Sequence, residues 1–119
     1  MSDKQPNHIF RVFYLRFPYD ITFARRSYRR EPIPFLTVDK LAKTHVFLFE
    51  VLAPSIEDVY WQMQGEHWSP RGEARSLIAN HNVRHTSMSS GDVVQVPGGR
   101  FYVCLPSGWQ ELKRKGDTR

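Results

Sequence analysis

Cysteine occurs once in the 119 residues, at Cys104, which excludes an intrachain disulfide and any cysteine-rich zinc cluster and suits a reducing compartment. Long apolar runs are missing as well. The longest lies around Val46 to Phe49, far short of the ~20 residues that a membrane-spanning helix needs. The opening Met1-Ser2-Asp3-Lys4-Gln5-Pro6 lacks the basic-then-apolar layout of a secretory leader, so the cytoplasm is the expected location and no membrane partner is expected. There is no phosphate-binding glycine loop, dinucleotide glycine pattern, serine elbow or HExxH pair, motifs whose spacing carries specific chemistry. The expectation is a protein without catalytic residues, metal or cofactor, and not an enzyme. Internal repeats are absent too.

What is present is ordinary for a folded chain. Hydrophobic residues make up 40% and charged residues 24%, and a chain of this length suits one core. A single domain over 1–119 is expected, with residues 1–7 and 113–119 as flexible tails. The formal charge of +5 is unevenly spread. Arg25, Arg26, Arg29 and Arg30 face only Glu31 in one segment, and four cations face only Asp117 at the C-terminus, so the remainder is close to neutral.

The periodicity predicts an α+β domain: a mixed or antiparallel sheet of five or six short strands with two helices. His8 to Phe17 reads as a well-covered strand. After Pro18, the alternation of Tyr19, Ile21 and Phe23 with polar neighbours reads as a second, half-exposed strand. The basic segment and the Pro32/Pro34 stretch then read as surface loop. Thr37 is positioned to cap a short turn through Lys43. His45 to Val51, apolar on both faces, reads as a central strand. Ser55 followed by Asp58 is a capping signal, and Ile56, Val59, Tyr60 and Met63 form one stripe, so a helix is predicted over about 55–65, ended by Gly65 at positive φ. Ser69-Pro70 opens a second helix predicted over about 69–80, stopping near Asn80 to Asn82. Asp92 to Val96 and Arg100 to Leu105, joined by Pro97-Gly98-Gly99, read as a β-hairpin over about 92–105, and Trp109 to Leu112 as a short last strand.

Four pieces carry a resemblance: Ile56-Glu57-Asp58-Val59-Tyr60, the run from Arg84 to Val94, Gly99-Arg100-Phe101-Tyr102-Val103, and Ser107 to Leu112. In this order they resemble the YodL-like domains over roughly residues 55–112. The resemblance implies an accessory unit of plasmid, phage and integrated mobile-element proteins and carries no implied chemistry. The chain departs from that pattern at Cys104-Leu105-Pro106, where an acidic residue commonly follows the Tyr-Val strand, and in an added segment from Trp68 to Arg75.

Three constellations are candidates for function. The first is the polar run from Arg84 to Asp92, in which Arg84, His85, Ser87 and Ser89 could hold a phosphate or carboxylate. The competing reading is a turn set by Gly91 and fixed by Asp92, with the serines serving backbone groups. The second is Trp61, Gln64, His67 and Trp68, a recognition surface if the indoles are exposed and a core element if they are not. The third is Arg25, Arg26, Tyr28, Arg29 and Arg30, an aromatic between arginine pairs that suits nucleic acid, or equally a solvated edge. His81 and His85 stand four apart, but Asn82 ends the helix between them. The leading expectation is a non-catalytic accessory module that docks onto a protein partner or self-associates. Its alternatives are a nucleic-acid-binding protein using Arg25 to Arg30, and a small enzyme with a polar site at 84–92.

Overall fold

A computed structural model describes residues 6–114. Five strands form one antiparallel sheet: β1 (His8–Leu15), β2 (His45–Ala53), β3 (Val93–Gln95), β4 (Phe101–Leu105) and β5 (Gly108–Glu111), in the spatial order β2-β1-β3-β4-β5. Five short helices accompany them: α1 (Tyr19–Tyr28), α2 (Leu41–Thr44), α3 (Ile56–Gln62), α4 (Gly65–Trp68) and α5 (Arg75–Asn80). The α+β class and the C-terminal hairpin are as expected. Of the expected tails, residues 1–5 and 115–119 lie outside the described residues. Lys113 is tied down, its carbonyl accepting from the Val38 amide at 2.9 Å.

Each face of the sheet is covered. On one side Phe10, Val12 and Tyr14 of β1, Val51 and Ala53 of β2 and Val94 of β3 pack against Val59, Met63, Ile78, Val83 and Met88. On the other, Val93 of β3 and Val103 of β4 meet Leu41 and Leu112, with Phe13, Leu36 and Val38 alongside. The alternation of Val93 and Val94 between the two clusters is the period-2 pleat at work.

Two segments differ from the sequence reading. Residues 19–28 are helical, so the expected second strand is absent and the basic run continues α1 into its terminal turn. Five alternating residues cannot outweigh the charge order, with Asp20 in the first turn and Arg25 and Arg26 in the last, as the helix dipole favours. Tertiary packing completes the choice: Phe23 is buried, its ring beside Gly91 where a Cβ would lie 3.3 Å from it. β2 is an edge strand rather than a central one. Its apolar residues report the sheet's cover, complete at Val51 and Ala53 and only partial at Phe47 and Leu52, whereas centrality depends on neighbours in the plane, and β2 has only β1.

The two helix ranges expected at 55–65 and 69–80 hold shorter helices. Ser55 caps α3, its Oγ accepting from the Asp58 amide at 3.3 Å and donating to Asp58 Oδ2 at 2.8 Å. Gly65 does not end this helix at positive φ. It starts α4, where its amide donates to Ser87 Oγ at 2.7 Å. Ser69 does not open a continuous helix either. Its Oγ accepts from the Ala74 amide at 2.8 Å, and α5 begins at Arg75. Asn82, at φ 63°, reverses the chain after α5, the left-handed stop that Asn tolerates.

Candidate functional site: a cleft between α1 and residues 84–90

The residues from Arg84 to Asp92 connect α5 to β3 and are stitched down at nearly every position. The Thr86 carbonyl accepts from Tyr14 Oη at 2.7 Å and from Trp68 Nε1 at 3.0 Å. Ser87 serves the Gly65 amide, and the Met88 amide donates to the Met63 carbonyl at 3.1 Å. Gly91, at φ 101°, turns the chain into β3, and a Cβ there would meet Leu15 Cδ2 at 2.8 Å. Much of this segment is therefore a fixed turn, as the architectural reading supposed.

Asp92 is the centre of that turn. It has no solvent exposure, yet its carboxylate accepts from the Leu15 amide (2.8 Å), the Ser89 amide (2.9 Å) and His85 Nε2 (2.8 Å to Oδ2). Burial pushes the Asp92 pKa upward, and the imidazole and the two amides hold it back. Burial opposes charge on His85, but the hydrogen bond and charge of Asp92, with Asp20 adding to them, more than offset it, and the net shift is upward. The pair is locked by this hydrogen bond, with the imidazole ring laid flat on Tyr14 at 4.7 Å. Because Nε2 is committed to Asp92, Nδ1 is the ring nitrogen left for another partner, and no hydrogen bond to it occurs among the described residues. A carboxylate that fixes one nitrogen in this way sets the tautomer and aim of the other.

His85 faces a cleft of about 720 Å³. One wall is α1, through Asp20, Ala24, Ser27 and Tyr28; the other carries Arg84, His85, Ser89 and Ser90. Arg84 spans the end of the cleft, its Nε 2.9 Å from Asp20 Oδ2 and its guanidinium 4.5 Å over the Phe17 ring. Arg84, His85 and several hydroxyls therefore border one concavity, a donor-rich setting suited to phosphate or carboxylate, with Asp20, paired with Arg84, on the facing wall. No described hydroxyl is hydrogen-bonded to His85, so the arrangement lacks the activated nucleophile of a Ser–His pair.

Of the residues expected in this site, Arg84, His85 and Ser89 come together and Ser87 does not, because its hydroxyl points toward α4. Sequence reasoning names Tyr28 only with the arginine segment and leaves out Asp20, Ala24 and Ser27; the four recur at helical spacing on α1, a signal masked by reading the segment as strand then loop. Cys104, on β4, is buried; burial and then the Asp92 charge push its thiol up to about 11, which leaves it protonated and unreactive near neutrality.

The second candidate surface divides. Trp68 packs edge-on against Tyr14 and Phe49 and spends its N–H on Thr86. Gln64 is likewise engaged, donating to the carbonyls of Tyr60 and Met88. Trp61 is 60% exposed and stacks on His67 at 3.8 Å. The third divides too. Arg26 turns to Glu31 and the Pro32 carbonyl, whereas Arg25, Arg29 and Arg30 are exposed and Tyr28 is 90% exposed. His81 is exposed, separated from His85 by the Asn82 reversal.

No protein-family model, curated protein or solved structure matches the chain. Among the described residues, no helix is long and apolar enough to cross a membrane, and no group of three or more His, Cys, Asp or Glu side chains is placed to hold a metal ion.

Proposed function

We propose that this chain is a non-catalytic binding module and that the cleft between α1 and residues 84–90 receives an anionic group of its partner. The observation that carries this reading is the His85–Asp92 pair. A fully buried carboxylate is costly to desolvate, and here it holds one imidazole nitrogen of a ring that lines the cleft together with Arg84. A turn alone needs only the amide bonds of Asp92; His85 adds a ring that lines the cleft. The lack of a hydroxyl hydrogen-bonded to His85 favours binding over acyl transfer. The resemblance of residues 55–112 to YodL-like domains supports the further proposal that the module is an accessory protein of a mobile genetic element.

The test is a ¹H–¹⁵N NMR titration with pyrophosphate. Amide shifts at Arg84, His85, Ser89 and Ser90 that saturate, and that weaken in Arg84→Gln, are the expected result; shifts scattered elsewhere, or none, overturn the reading. A second reading, docking onto a protein through Trp61 and His67, is favoured by the exposed, ring-stacked indole, because such aromatics anchor protein interfaces.

A further inference from the structure

Helical geometry sorts the side chains of α1 into stripes that sequence alone left mixed. Asp20, Ala24, Ser27 and Tyr28 line the cleft, and the buried Phe23 lines it from the core side. At about 100° per residue, Arg25 and Arg29 stand one above the other on the solvent side, next to Tyr28. Tyr28 therefore occupies the rim between the cleft and an arginine stripe. Its ring is 90% exposed with no ring contact among the described residues, so its apolar face is available for stacking. Arg25, Arg29 and Arg30 make no ion pair among the described residues, whereas the acids of this region are already matched, Asp20 with Arg84 and Glu31 with Arg26.

We infer that the anionic partner of the cleft is single-stranded nucleic acid, with a base stacked on Tyr28, its phosphate drawn between Arg84 and His85, and neighbouring phosphates along Arg25 and Arg29. This inference rests on the proposed cleft and narrows it. Charge complementarity selects the ligand: Arg25, Arg29 and Arg30, which make no ion pair among the described residues, stand around one exposed ring and match a chain of phosphates and bases better than a single carboxylate or phosphate. Strandedness follows from the ring and the footprint. Stacking on Tyr28 requires an unpaired base, and a duplex asks for a broad basic face, which the nearly neutral remainder of the described chain does not supply.

Fluorescence anisotropy with a labelled oligothymidylate of about twelve nucleotides, and with a duplex of the same length, tests this at roughly 50 and 200 mM salt. Saturable binding of the single strand, weaker for the duplex, is expected. Tyr28→Ala should weaken it roughly 5- to 150-fold, as loss of one stacked base does, with Tyr28→Phe close to wild type. Changing Arg25 and Arg29 together to Gln should lower the salt slope by about 1.4, at about 0.7 per phosphate on a single strand. All these side chains are exposed, and circular dichroism confirms that the variants fold. Equal binding of duplex, or no effect of Tyr28→Ala, overturns the inference. So does binding of a phosphoserine peptide in place of the oligonucleotide. If pyrophosphate shifts the cleft amides but no oligonucleotide binds, the cleft stands and the nucleic-acid ligand fails; if neither binds, both fail.

Discussion

Replacing Asp92 by Asn keeps the volume and changes one oxygen into a donor. In the wild type, one carboxylate oxygen serves the Leu15 amide and the other the Ser89 amide, and His85 Nε2 lies within 2.9 Å of both. Whichever way the new amide is turned, its NH₂ must face one of those backbone N–H groups at full burial. A buried donor left unmade costs about 1–3 kcal/mol. The larger penalty of ~3–5 kcal/mol for stranding a buried charge does not apply, because His85 keeps 24% of its side chain exposed and can shed its proton. Adding the loss of a charge-assisted bond gives a destabilisation of about 3 kcal/mol. At roughly 4 °C per kcal/mol for a domain of this size, Tm should fall by about 12 °C. Urea denaturation followed by circular dichroism measures the first quantity, and an NMR titration of His85 should show its raised pKa moving down. A change below about 0.5 kcal/mol together with an unmoved His85 titration refutes the account of Asp92 as the clamp of this turn.

Other outcomes follow from the same geometry. His45 is buried with Nε2 2.7 Å from the Gly91 carbonyl and Nδ1 2.7 Å from the Thr44 hydroxyl. Burial lowers its pKa to about 4. Its unfolded form therefore binds a proton below about pH 6.5 that the native form refuses. Stability contributed by the neutral ring is lost as pH falls from about 6.5 to 4, by roughly 3 kcal/mol at most, and His45→Gln, which can keep the donor to Gly91, should flatten that part of the profile relative to wild type. Trp68→Ala should cost about 3 kcal/mol in urea denaturation, since it empties a packed site and removes one of the two donors to the Thr86 carbonyl, whereas Trp61→Ala, which loses a mostly exposed ring, should cost under about 1 kcal/mol. Gly91→Ala combines a 2.8 Å approach to Leu15 with φ 101°, so its Tm should fall by at least about 8 °C, at over 2 kcal/mol.

Local chemistry alone determined the features that need only neighbouring residues. Ser55 with Asp58 starts a helix because the hydroxyl accepts from the Asp58 amide while donating to its carboxylate, a local pairing open wherever the chain lies. Pro97-Gly98-Gly99 turns a hairpin because Gly98 and Gly99 reach φ 99° and 102° at no steric cost. The alternation of 92–96 and 100–105 placed both strands, and the α+β class followed. The tertiary structure decided what depends on partners far along the chain. Residues 19–28 are helical because Phe23 is buried beside Gly91 and Asp20 meets Arg84, contacts that no window on those ten residues contains. β2 sits at the edge because β3, some forty residues later, takes the other side of β1. Trp61 and Trp68, alike in sequence context, part ways because Tyr14, Phe49 and Thr86 receive only the second. The cleft belongs wholly to this level: its cations, hydroxyls and exposed ring come from residues 20–28 and 84–90, and burial of Asp92 beneath them, a property of the folded core, is what orients His85 toward whatever enters.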